Sequence, residues 1–140
     1  MLKTHACEAI LLSCLDWRLH SKVEECFRKK YGNLDLCITA GALSGLLENP
    51  WQDYLLKQIE TSQKLHDSKI IILTMHRDCG AFGGSAKFQN KKDEFLHHQK
   101  ILKQMGQVLS KKFPKSKIVK YFIDLEFKKD KWIPLVKSVK

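Results

Sequence analysis

Two short clusters in this chain hold side chains that could do chemistry together. One is Cys14-Leu15-Asp16-Trp17-Arg18, the other His76-Arg77-Asp78-Cys79-Gly80. A cysteine at the end of an apolar strand is ordinarily just a buried thiol. His-x-x-Cys in a turn says more, because that spacing lets an imidazole and a thiolate converge on one metal ion. Together, Cys14, His76 and Cys79 supply two thiolates and one imidazole. Zinc accepts that set, and with an open fourth position it is one of the metal's catalytic forms. Asp16 and Arg18, taken alone, read as a surface ion pair.

Placing those groups falls to an alternating chain. Ala9–Ser13 is a short apolar run that fits a buried strand. Ser21-Lys22-Val23-Glu24 reads as a capping box, Val23, Cys26, Phe27 and Tyr31 as one helical stripe, and Gly32 as its stop. Leu34–Thr39 is a second strand. Asn49-Pro50-Trp51-Gln52 reads as a helix start, continued on one face by Trp51, Tyr54, Leu55, Ile59 and Leu65. Lys69–Met75 is the clearest strand, apolar enough to be buried on both faces. Gly80, Gly83 and Gly84 mark a loop. An amphipathic helix over about Asp93–Lys112 then carries the stripe Phe95, Leu96, Ile101, Leu102, Met105, Val108, Leu109, and Pro114 blocks its continuation. Lys117–Leu125 is a fourth strand, and Lys131–Val136 a short fifth weakened by Pro134.

Strands alternating with helices predict an α/β fold: a doubly wound, mostly parallel sheet of four to five strands with helices on both faces. If the two clusters share one metal, strands one and three are neighbours and strand two lies beyond strand one, in the order 2-1-3-4. The metal then sits at the topological switch point, past the C-terminal ends of the strands.

Cys14-x-Asp16-x-Arg18 followed by His76-x-x-Cys79-Gly80 resembles the β-class carbonic anhydrases, and Ala40-Gly41-Ala42 looks like that family's Ala-Gly segment at the active-site edge. The resemblance runs from about Ala9 to Gly84. It implies a zinc lyase that interconverts carbon dioxide and bicarbonate by way of zinc-bound hydroxide. It also implies Cys14, His76 and Cys79 as the Zn2+ ligands, with Asp16 and Arg18 as a catalytic dyad beside them. In the family this Asp either hydrogen-bonds the bound hydroxide or ligates the metal and closes the site. Relatives with the same ligands resemble hydrolases of carbon disulfide or carbonyl sulfide. A non-catalytic zinc protein and a basic nucleic-acid-binding protein are the readings outside this enzyme class.

The chain departs from the family pattern at three points. Strand one begins almost at the N-terminus, so the helical arm that embraces a second subunit is not expected; Thr39 stands where an Asn is usual; and the chain is short after strand four. Family pockets are completed by a partner subunit, so a homodimer is expected. Leu43, Leu46 and Leu47 are expected to pack across its two-fold interface beside strand two. The alternative is a short helical turn folded onto their own domain.

Composition sets the remaining bounds. With 140 residues, 44% apolar, and neither a repeat period nor a low-complexity linker, residues 1–140 are expected to form a single domain with its own core. The longest apolar runs, such as Ile70–Met75, are too short to span a bilayer, and Cys7–Leu12 is too short for a secretory signal core. A cytoplasmic location follows as the expectation. There, five cysteines suggest thiols, a metal or catalysis more than disulfides, and Cys7, Cys26 and Cys37 read as core or strand thiols.

The net charge of +10 is concentrated at the end of the chain. Residues 111–140 hold ten lysines against Asp124, Glu126 and Asp130. This reads as a solvated lysine surface; it matches no nucleic-acid-binding module, so neither nucleic acid nor membrane is an expected partner. His97-His98 reads as part of a solvated helix face. His20 reads as a polar turn residue, with a proton relay as the sharper option. Gly83-Gly84 lacks the spacing of a dinucleotide or phosphate loop.

Overall fold

The computed structural model describes residues 5–48 and 51–140. Five strands form one sheet in the order β2-β1-β3-β4-β5. They are β1 (Ala9–Cys14), β2 (Leu34–Thr39), β3 (Ile70–His76), β4 (Lys117–Lys128) and β5 (Lys131–Val139). The first three pairings are parallel; β4 and β5 form an antiparallel hairpin. The predicted order 2-1-3-4 is therefore extended by one edge strand. β5 is longer than expected. Pro134 lies opposite Leu125 on that outermost strand, where a missing backbone N–H need not break an inner ladder.

Three helices connect the strands: α1 (Lys22–Tyr31), α2 (Trp51–His66) and α3 (Lys91–Lys112). Adjacent residues of a strand point to opposite faces. Tyr121 of β4 meets Phe27 of α1 edge-on, while its neighbour Phe122 meets Phe95 and His98 of α3. Helices thus cover both faces. The central strands β1 and β3 are apolar along almost their whole length because neither face reaches water.

Several local expectations are corrected. Ser21 makes no side-chain cap and has a helical backbone; Glu24 instead pairs with the ring of His20. Cys26 is exposed rather than a core thiol. The buried face of α2 is Leu55, Leu56, Ile59 and Ser62, whereas Trp51, Tyr54 and Leu65 are exposed. The expected cap at Asn49 and Pro50 lies outside the described residues. On α3, Leu96 is exposed, and His98 is buried rather than part of a solvated face. A 3-10 helix over Ala42–Leu47 tucks Leu43 and Leu46 into the chain's own core. The helical-turn alternative is thus the one observed for them, and the two-fold packing expected of these two residues is not, because their surface is already spent on the core. Leu47 alone of the three is exposed. Among the described residues no helix is long and apolar enough to cross a membrane.

Candidate metal centre

The two chemical clusters meet where the topology reverses. Cys14 is the last residue of β1, His76 the last of β3, and Cys79 lies in the turn that follows. Their ligand atoms all lie within 4.8 Å of one another, and all three residues are buried. β1 and β3 are paired neighbours, so the strand ends carry both ligand segments to one point.

The ring of His76 is oriented by its own chain. Nδ1 donates to the carbonyl of Arg77 at 2.7 Å, which leaves the Nε2 lone pair free. Nε2 is buried and has no hydrogen-bond partner. A buried acceptor without a partner costs about 1–3 kcal/mol unless something fills the position. The thiols form a matched pair. A hydrogen bond from Cys79 pulls the Cys14 thiol down to about 4, against the opposing effect of burial. The Cys79 thiol is pushed up by that same bond and by burial. A divalent cation would replace the shared proton and satisfy both sulfurs, so the donor set fits zinc.

Gly41 packs closely against the Cys14 thiol. Its N–H donates to Cys14 Sγ at 3.3 Å. Its φ is 72°, and a Cβ there would fall 2.5 Å from Ser44 Oγ and 2.7 Å from Ala81 Cβ. Only glycine lets this backbone approach the sulfur.

Asp16 stands beside the ligand group but is not part of it. Its carboxylate is gripped by Arg18, with Nε to Oδ1 at 3.0 Å and Nη2 to Oδ2 at 2.6 Å, and it also accepts the Arg18 backbone N–H at 2.9 Å. These bonds hold the Asp16 carboxyl below the usual carboxylate range. Arg18 is anchored in turn by Asp78, through Oδ2 and the carbonyl, both at 3.0 Å. Its guanidinium carbon also lies 5.0 Å from the ring centroid of Trp132 on β5. The dyad faces a cleft walled by Leu15, Trp17, Ala40, Ala81 and Trp132. His20 reaches the back of the site, where Nε2 donates to the Cys14 carbonyl at 2.8 Å while Nδ1 meets Glu24. With both nitrogens engaged, it serves as a brace rather than a free relay.

A second ionic layer lies behind the ligand turn. Glu94 of α3 accepts the Asp78 N–H at 2.6 Å and the Arg77 Nη1 at 2.9 Å, and Ser85 donates to both of its oxygens. Arg77 also pairs with Asp124 of β4 at 2.5 Å. Burial opposes the charge of Arg77, but the two carboxylates outweigh it and raise its pKa. Sequence reading missed Glu94, Ser85 and Asp124. An acid in a helix's first turn looks like ordinary macrodipole compensation, and nothing local marks the other two. Arg77 and Asp78 lay inside the motif without an assigned role.

The chain is 30% identical over 135 aligned positions, 89% of its own length and 72% of the relative's, to the uncharacterized protein RC0076 of Rickettsia conorii (strain ATCC VR-613 / Malish 7). Its fold is similar to that of the tetrameric β-carbonic anhydrases of Sordaria macrospora, with a TM-score of 0.61 at 13% identity over 96% of this chain and 83% of that one. It is similar also to an apo form of carbon disulfide hydrolase, with a TM-score of 0.57 at 13% identity over 86% and 77%. The model of the family described as "Putative carbonic anhydrase" matches residues 4–132, and the chain belongs to that family.

Proposed function

We propose that residues 1–140 form a single-domain zinc lyase that interconverts carbon dioxide and bicarbonate. Cys14 Sγ, Cys79 Sγ and His76 Nε2 would hold the metal, which when bound supplies the Lewis acidity that makes hydroxide available near neutral pH. One observation carries the reading: Asp16 is held by Arg18 and stays outside the group of possible ligands, so a metal held by the other three would keep room for water. An ionised Asp16 accepts a hydrogen bond from the attacking oxygen and keeps its lone pair turned toward the substrate carbon. Arg18 keeps that carboxylate ionised and oriented through a bidentate, charge-assisted grip. The apolar cleft wall suits a small, uncharged substrate.

The reading includes a homodimer. Leu15, Trp17, Leu47, Trp51 and Tyr54 are exposed large apolar residues. Leu15 and Trp17 line the metal cleft, and Trp51 and Tyr54 line a neighbouring one. A second copy would cover them and wall the cleft against solvent. All five cysteines are free thiols, which suits a reducing cytoplasm.

Stopped-flow carbon dioxide hydration by the zinc-loaded chain, beside Asp16→Asn, tests the proposal. The expected result is measurable turnover that falls by about 100-fold in the variant. Hydrolysis of carbon disulfide or carbonyl sulfide without carbon dioxide hydration would move the substrate to the sulfur analogues. Zinc binding with no turnover of any of them would leave a non-catalytic zinc protein.

A further inference from the structure

The opposite end of the sheet carries a second convergence of metal-binding side chains. Cys7 precedes β1, Asp35 is the second residue of β2, and His66 ends α2. Their ligand atoms also lie within 4.8 Å of one another. We propose that Cys7, Asp35 and His66 form a second site for a borderline divalent metal such as zinc or cobalt, independent of the one at Cys14.

The cluster is built rather than incidental. The Cys7 N–H donates to the His66 carbonyl at 2.9 Å, which pins the thiol segment to the end of α2. The Asp35 carboxylate accepts from Ser62 Oγ at 2.7 Å, and Ser62 is in turn hydrogen-bonded to Ser68 at 2.7 Å. Both serines are buried, at 5% and 4% exposure, so the carboxylate is oriented from beneath by a fixed pair. His66 Nδ1 donates to Asp35, 2.9 Å from Oδ1 and 2.8 Å from Oδ2. The Cys7 thiol donates weakly to the Ala9 carbonyl at 3.6 Å and also interacts with the Asp35 carboxylate. These are contacts a metal can replace at little loss.

The donors decide the class of ion. One sulfur, one imidazole nitrogen and one carboxylate oxygen form a mixed set. Magnesium and calcium want oxygen alone, whereas zinc and cobalt take all three types. Asp35 and His66 remain partly open, at 28% and 32% side-chain exposure, which gives an ion access. The exposed ring of His5 lies edge-on to His66 with centroids 5.6 Å apart, within reach of a fourth position that water would otherwise take. Binding is balanced in protons. The Cys7 thiol releases its proton to solvent, and the imidazole proton moves from Nδ1 to Nε2 so that Nδ1 can ligate.

Equilibrium dialysis of the whole chain against Zn2+, with thiol alkylation mapped by mass spectrometry, tests the site. A second equivalent of zinc is expected beyond that held by Cys14, His76 and Cys79. Cys7→Ser and His66→Ala should each weaken only that second equivalent, by at least about tenfold. In the unmutated chain, Zn2+ should slow alkylation of Cys7 while the exposed Cys26 reacts at an unchanged rate. That readout stands even if a variant fails to fold. Zinc binding at saturation that Cys7→Ser and His66→Ala leave unchanged, or Cys7 alkylation that ignores Zn2+, would overturn the proposal, whatever happens at Cys14 and Cys79.

Discussion

Arg77 and Glu94 form an ion pair at 2.9 Å directly behind the ligand turn, with side chains only 9% and 1% exposed. The pair joins the turn after β3 to α3, and Glu94 also holds the Asp78 N–H one residue before Cys79. A carboxylate is the right group because every atom facing it is a donor: two N–H groups and one hydroxyl.

Glu94→Gln should therefore be costly despite its small change in size. The new amide N–H must face a donor, and Arg77 loses one of its two counter-charges inside the fold. Urea unfolding should show a loss of about 3 kcal/mol, the range seen when one partner of a buried pair is removed. A loss under about 0.5 kcal/mol, the level of an ordinary surface change, would mean the pair does not hold the turn.

Cys79→Ser should weaken zinc at the Cys14–His76 centre by more than the roughly 10- to 100-fold typical of losing a mere outer-layer partner. Chelator competition in the Cys7→Ser background isolates this centre from the other cluster. Undiminished occupancy would remove Cys79 from the ligand set. Folding should survive metal removal, because the apolar core extends well beyond the site.

Arg18→Lys keeps the charge and loses the fork. Lysine cannot span both oxygens of Asp16 while also reaching Asp78, so Asp16 should lose its orientation more than its ionisation. Carbon dioxide hydration should drop by about tenfold or more with zinc content unchanged. Equal turnover in the two proteins would reduce Arg18 to a packing role.

His98 predicts a pH dependence of stability. Its ring is fully buried among Phe82, Phe88, Phe122 and His97, and neither nitrogen has a partner. Burial, helped by the neighbouring His97, pushes its pKa down from 6.5 to about 4. The fold resists the proton that the unfolded chain accepts. This contribution is therefore complete above about pH 6.5 and is lost as the pH falls toward 4, by roughly 3 kcal/mol in total. His98→Phe should flatten the decline in denaturation midpoint between pH 6.5 and 4. An unchanged slope would place the acid sensitivity elsewhere.

Light scattering at low micromolar concentration should find a dimer or larger assembly, and Trp51→Lys should shift it toward monomer. An active chain that is strictly monomeric would refute a shared cleft wall.

Spacing and periodicity were enough to read the alternation of strands and helices, the mostly parallel sheet and the cluster of Cys14, His76 and Cys79. An apolar strand, an amphipathic helix and a His-x-x-Cys turn are each defined within a few neighbouring residues. The strand order followed as well, because bringing Cys14 and Cys79 to one point requires β1 beside β3. Groups that act across the fold left no such local mark. Glu94 and Asp124 lie far apart in the chain yet meet Arg77 from opposite elements. Cys7, Asp35 and His66 converge only because the starts of β1 and β2 and the end of α2 meet at one end of the sheet. Leu43 and Leu46 went to the core because a left-handed Gly41 turned the chain back over it. Trp51 and Tyr54 were left outside because the register of α2 sends Leu55, Leu56 and Ile59 inward. Long-range pairing and the choice of which apolar face is buried depend on what the rest of the molecule presents, and only the folded chain decides that.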